Sequence, residues 1–171
     1  DFRALAGNAS LLKPLRDYVV KQAQATPRFI KLLTENSLHW KVPFNWFGSL
    51  ETKELDGKKI IDIKMQGTAI VVDAARIYSL AHGIAAVNTR ERLAAVGRAL
   101  NVSEAESMGW IASFEYLQTL RLAAQIDGHA IGGNPNAVDV EQLNSVDKTI
   151  LRESLSKVRN LQQQLELDYV R

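Results

Sequence analysis

The chain has 171 residues, of which 46% are hydrophobic and 23% charged, a composition typical of one globular domain rather than a disordered chain. It contains no cysteine, which excludes disulfide scaffolds, thiolate zinc sites and a cysteine nucleophile, and favours a reducing compartment. The charges of the 21 basic and 19 acidic residues nearly cancel, so we expect no binding to DNA. No apolar run is long enough to span a bilayer, so we expect no membrane association and a cytoplasmic protein.

The first two predicted helices are amphipathic. Apolar residues recur at spacings of three and four over 10–25, and Ser10 is the predicted N-cap. A second helix is predicted from Thr26-Pro27 to about Leu38, with the proline in its first turn. Residues 39–49 hold two of the three tryptophans and show no periodicity. We therefore predict a buried aromatic loop there.

Residues 50–64 form the one predicted β-element. Asp56-Gly57 is the strongest short hairpin signal, and strand-like segments flank it on both sides. A helix is then predicted over about 68–82, after the conformationally flexible Gly67. That helix is apolar nearly all round, which is typical of a helix at the centre of a protein.

Three more helices follow. One opens near Asn88, and a capping box at Ser103–Glu106 begins a long helix that runs through Gln125. Gly132–Asn136 is a predicted loop, and the last helix begins at Ser145. The predicted fold class is all-α, a helical bundle with one small β-hairpin.

The segment from Gly48 to Lys64 comes nearest to a catalytic motif. Polymerase-β-type nucleotidyltransferases use Gly-Ser followed by two carboxylates that hold two Mg²⁺ ions. Here Asp62 follows Gly48-Ser49, but Lys64 stands where the second carboxylate would fall. The histidines at 39, 82 and 129 are too scattered to suggest a metal site. We therefore predict no catalytic residue and no metal ligand in this chain.

Asp73 and Arg76 are conspicuous because they interrupt an otherwise apolar helix. They form either an exposed pair on a narrow solvent stripe or a pair in a cleft, where the arginine would face a phosphate or carboxylate. Since unpaired buried charge is costly, we predict both side chains to be at least half buried. We expect them to bond to one another or to Lys64, Arg92 or Arg121.

The order and spacing of several segments resemble the putative nucleotidyltransferase substrate-binding domain, over nearly the whole chain. In that family the domain lies at the C-terminus of bacterial proteins, after CBS or cyclic-nucleotide-binding modules and a nucleotidyltransferase catalytic domain. Its relatives include the uridylyltransferase that acts on the nitrogen-regulatory PII protein. The segments that carry the resemblance are Ile61–Lys64, Gly67, Ile70–Arg76, Ala81–Gly83, Asn88–Leu93, Leu120–Gln125, Asn136 and Leu161-Gln162.

The resemblance implies a division of the chain and a binding face. Residues 1–9 would be the end of an upstream catalytic domain or a linker, with Asp1 as a remnant of its metal site, and residues 10–171 the helical substrate-binding domain. By composition alone, the polar residues of the long helix are typical of a solvent-exposed face. The resemblance instead implies one concave face that meets nucleotide phosphates or an acidic substrate, formed by Lys64, Asp73, Arg76, Thr89, Arg92, Arg121 and Gln125.

The leading hypothesis is therefore the accessory, substrate-binding half of a bacterial nucleotidyltransferase. No cofactor is expected in this chain, whereas Mg²⁺ and a nucleoside triphosphate are expected for the full-length enzyme, and the chain alone is expected to be inactive. Its partners would be the upstream catalytic domain and a nucleotide or protein substrate, and a homodimer is compatible with this. The alternative is a non-catalytic interaction or dimerisation module that couples CBS or cyclic-nucleotide-binding domains to partners. Clustered polar residues favour the first, and an exposed apolar patch favours the second.

Overall fold

The prediction of a mostly helical fold is confirmed by the computed structural model, which describes residues 6–126 and 131–171. These residues contain six α-helices and one antiparallel sheet of three strands. The helices are α1 (Leu12–Gln24), α2 (Pro27–Ser37), α3 (Ala69–Ala81), α4 (Thr89–Ala99), α5 (Glu104–Ile126) and α6 (Ser145–Tyr169). The strands are β1 (Lys53–Leu55), β2 (Lys58–Asp62) and β3 (Ala137–Asp139).

Particular residues at the N-terminal ends determine where several helices begin. Pro27 occupies the first turn of α2 as predicted, and the hydroxyl of Ser103 accepts a hydrogen bond from the Glu106 N–H at 3.1 Å. The predicted N-cap at Ser10 is wrong. A short 3₁₀ turn precedes α1, and the side chain of Asn8 accepts from both the N–H and the hydroxyl of Ser10. Asparagine and serine are about equally favoured at the N-terminal end of a helix, so residue type alone does not show which of the two accepts the hydrogen bonds there.

Helix α3 is central, as its apolar sequence predicts. It contacts α1, α2, α4 and α6, and a π-helical turn at Lys64–Thr68 leads into it from the sheet. Tyr78 is fully buried, and its hydroxyl donates to the Asp168 carboxylate on α6 at 2.7 Å. No described helix is both long and apolar enough to cross a bilayer, although α5 and α6 reach 23 and 25 residues.

The predicted hairpin is present around Asp56-Gly57. Both residues have positive φ, 52° and 69°, as a two-residue turn between right-twisted strands requires. The strands pair antiparallel with Lys53 opposite Ile60. The predicted β-element over 50–64 ends early, at Asp62, because the chain enters the π-helical turn after β2. Strand β3 was not predicted. It has three residues, too few to show a period of two.

The prediction of a buried aromatic loop at 39–49 is wrong. Trp46 is 96% exposed and Phe47 is 89% exposed, although Val42 is buried. The Asn45 side chain accepts hydrogen bonds from the backbone N–H groups of Phe47 and Ser49. These two hydrogen bonds close a tight turn, and the side chains at the tip of this turn extend away from the protein.

The contact between α4 and α5 supplies a test of the packing. A methyl group at position 97 would lie 2.5 Å from Cβ of Ser107, so Gly97→Ala should destabilise the fold by about 1–3 kcal/mol. Ser107→Gly alone should cost about 1 kcal/mol through helix propensity, but it also removes the clashing atom. The double variant should therefore be more stable than the sum of the two costs predicts. Urea unfolding followed by circular dichroism measures this coupling, and strictly additive costs would contradict the close approach.

Candidate functional site

A cavity of about 260 Å³ is lined by Arg16 from α1, Arg76 from α3 and Arg92 from α4. We call it the arginine cavity. The rest of its lining is apolar, from side chains of α1, α2 and α3 and from the segment 84–87 between α3 and α4. Cationic groups in apolar surroundings interact more strongly with an anion than they do in open water. The arrangement is therefore suited to a ligand with an anionic group and an apolar part.

Asp73 and Arg76 form the predicted pair. Arg76 Nη1 donates to Asp73 Oδ1 at 2.7 Å, and the side chains are 35% and 33% exposed for Arg76 and Asp73 respectively. Both are thus more than half buried, and the prediction is confirmed. Burial raises the pKa of Asp73 above its ordinary value, while the charge and hydrogen bond of Arg76 act in the opposite direction. The carboxylate orients the guanidinium of a residue that lines the cavity.

Arg92 is buried, and its Nε donates to the backbone oxygen of Ala86 at 2.8 Å. Burial lowers the pKa of Arg92, and the positive charges of Arg76 and Arg16 lower it further. Arg76 and Arg16 therefore lie close enough to Arg92 for their charges to act on it.

Arg121 and Gln125 belong to a different group. Arg121 Nε and Gln125 Nε2 donate to the same acceptor, Oδ1 of Asn136, at 2.7 and 3.1 Å. The backbone oxygen of Asn136 in turn accepts from the N–H of Ile63 at 3.1 Å. These bonds connect α5 to the segment before β3 and to the end of β2. Neither Arg121 nor Gln125 lines the arginine cavity.

The remaining candidates are Lys64, which is exposed in the π-helical turn, and Thr89, which is partly buried at the start of α4. Of the seven predicted binding residues, the structure therefore brings Arg76 and Arg92 to one cavity, with Asp73 bonded to Arg76. Sequence reasoning missed Arg16, because one arginine on an amphipathic helix carries no local signal. Asp1 and His129 lie outside the described residues.

Asp62, the one carboxylate of the near-catalytic motif, is engaged in local structure. Its Oδ1 accepts from the Met65 N–H at 2.9 Å and its Oδ2 accepts from Asn134 Nδ2 at 2.7 Å. Ser49 lies in an exposed loop. Within residues 6–126 and 131–171, no group of three or more acidic, histidine or cysteine side chains is placed to hold a metal ion.

Comparison with known proteins identifies a family. A family model described as "putative nucleotidyltransferase substrate binding domain" matches residues 27–169. The match runs from α2 to the end of α6 and leaves out α1 with Arg16. No curated protein and no solved structure matches the chain.

Asp73→Asn should change how stability depends on pH. Because burial raises the pKa of Asp73, the folded chain holds this proton more tightly than the unfolded chain, whose carboxyl titrates near 3.8. The stability that the neutral carboxyl contributes is present below that pH and is lost as the pH rises through the raised pKa. Urea unfolding measures the difference in the free energy of unfolding between the wild type and Asp73→Asn. This difference, wild type minus variant, should decrease as the pH is raised from about 3 to 7. A difference that rises with pH would show that the Arg76 ion pair outweighs burial.

Proposed function

This chain belongs to the family of putative nucleotidyltransferase substrate-binding domains, and we propose that it binds and positions a substrate for transfer by a separate catalytic domain. The observation that carries the proposal is the convergence of Arg16, Arg76 and Arg92 on one cavity. Guanidinium groups present forked donors that match phosphate and carboxylate oxygens. The arginine cavity would hold the anionic group of the nucleotide or of an acidic acceptor.

The proposed division of labour leaves the phosphoryl chemistry to the catalytic domain. That chemistry depends mainly on positioning and on charge stabilisation by Mg²⁺. In this chain Asp62 is bonded to Met65 and Asn134, and a lysine stands two residues later. We accordingly propose that Mg²⁺ and the nucleoside triphosphate act in the full-length enzyme, which would be cytoplasmic, bacterial and similar to the PII uridylyltransferase.

The exposed aromatic turn favours a second candidate function, an interaction module. Trp46 and Phe47 are almost fully exposed. Leu11 just before α1, Tyr18 on α1 and Leu32 on α2 are also exposed. Exposed aromatic side chains are enriched in protein interfaces. Such a surface would dock a regulatory domain or a second copy of the chain. Light scattering of the wild type and of Trp46→Ser distinguishes the cases, since a dimer lost in the variant would assign the turn to dimerisation.

Arg76→Met should weaken binding of an anion while leaving the fold intact. Loss of one charge-assisted hydrogen bond costs about 1.5–3 kcal/mol, so the dissociation constant for pyrophosphate should rise about 10-fold to 100-fold. Arg98→Met, at an exposed position on α4, is the matched control and should bind as the wild type does. Calorimetric titration measures the affinity and a melting curve checks the fold. Equal affinity in all three proteins would remove Arg76 from the site.

The isolated chain should release no pyrophosphate from any of the four ribonucleoside triphosphates in the presence of Mg²⁺. Joining it to an upstream nucleotidyltransferase domain should restore release, and Arg76→Ala in the joined protein should lower it. The assay is pyrophosphate release by the isolated and the joined proteins, with a melting curve for each. Turnover by the 171 residues alone would assign chemistry to the segment from Gly48 to Asp62.

A further inference from the structure

A second cavity of about 420 Å³ lies where four separate parts of the chain meet. Its walls come from the residues after α2, the β1–β2 hairpin, the π-helical turn and the loop before β3. The volume is within the range of small-molecule sites. It shares no lining residue with the arginine cavity. Its lining has three parts that together select a class of ligand.

The first part is an apolar wall built on the hairpin. Lys53 and Ile60 are directly opposite each other on β1 and β2, and Leu55 lies two residues along β1 on the same face. Met65 and Trp40 also line the cavity. The backbone oxygen of Trp40 accepts a hydrogen bond of 2.6 Å from the buried Gln162 side chain on α6, which holds the chain in place there. A wall of one tryptophan and several aliphatic side chains suits a flat ring.

The second part is an oriented amide. Gln66 Oε1 accepts from the Asp62 N–H at 3.0 Å, which determines which end of the amide is oxygen. Its Nε2 has no acceptor among the described residues and can donate to a ring carbonyl or ring nitrogen. The Asp62 carboxylate beside it accepts from the Met65 N–H and from Asn134 Nδ2.

The third part is positive charge. Lys41 and Lys53 both line the cavity and are exposed, so a ligand in solution can reach their ammonium groups. Within the described residues neither forms an ion pair. Two ammonium groups beside a flat apolar wall match a ligand with both a planar ring and a phosphate.

We propose that this second cavity binds a nucleoside phosphate. The base would lie against the wall that includes Trp40, its polar edge would accept from Gln66 Nε2, and the phosphate would pair with Lys41 and Lys53. The proposal extends the function proposed above without depending on it, because the two cavities have no residue in common. An inorganic phosphate chain satisfies the lysines but not the apolar wall, and this difference makes the assignment testable.

The test is titration of the 171-residue chain with ATP, GTP, CTP and UTP, and with tripolyphosphate as the probe that lacks a base. At least one nucleotide should bind about tenfold more tightly than tripolyphosphate. In ¹H–¹⁵N spectra it should shift the indole N–H of Trp40 and the side-chain amide of Gln66, and leave the indoles of Trp46 and Trp110 unchanged. Shifts confined to other residues, or no binding of any nucleotide, would overturn the proposal.

Variants separate this site from the arginine cavity. Lys53→Met changes an exposed residue, so the fold should be retained, and nucleotide affinity should fall about tenfold. Trp40→Leu should act likewise, whereas Lys13→Met is a matched control at an exposed position outside the cavity. Nucleotide binding lost in Arg76→Met but kept in Lys53→Met and Trp40→Leu would support the arginine cavity and overturn this second site. Nucleotide binding that is kept in Arg76→Met but lost in Lys53→Met and Trp40→Leu would support the second cavity as the nucleotide site.

Discussion

Helix α3 is apolar on nearly every side, and the rest of the fold is arranged so that this helix is enclosed. Ile70, Ala74, Ile77 and Tyr78 are among its side chains that are buried almost completely. Each large side chain of this kind contributes about 1.5–3 kcal/mol when it leaves water, so the chain gains most by packing other helices around α3. Helices α1, α2, α4 and α6 do so. The charged pair on α3 is consequently only partly exposed, with Arg76 at the arginine cavity.

Helix α6 connects this core to the second cavity. Near its C-terminus Asp168 accepts from the hydroxyl of Tyr78, and burial raises the pKa of that phenol, so Tyr78 keeps its proton and remains a donor. Tyr169 packs beside it with ring centroids 5.6 Å apart, and burial raises the pKa of Tyr169 to about 12. Two turns earlier, Gln162 holds the backbone at Trp40. One helix therefore anchors α3 and a wall of the second cavity.

A chain of hydrogen bonds connects α5 to the same cavity. Arg121 donates to Asn136, whose N–H donates to the Asn134 side chain at 2.9 Å. Asn134 donates to Asp62, and the N–H of Asp62 donates to Gln66. Polar networks of this kind hold their members in one orientation when each is satisfied. Arg121 and Gln125, which the resemblance places on a binding face, thus have bonding partners that support the wall of the second cavity.

The sequence by itself determined the features that depend on neighbours in the chain. Periodicity and capping residues predicted the helices, Asp56-Gly57 predicted the hairpin through its need for positive φ, and the i, i+3 spacing predicted the Asp73–Arg76 pair. Tertiary structure alone decided the exposure of the aromatic turn at 45–48 and the pairing of β3 with β2. It also brought Arg16 beside Arg76 and Arg92, and left Arg121 and Gln125 on Asn136. The reason is physical: local patterns specify which face of a helix is apolar, whereas the distance between residues far apart in the chain depends on how those faces pack together.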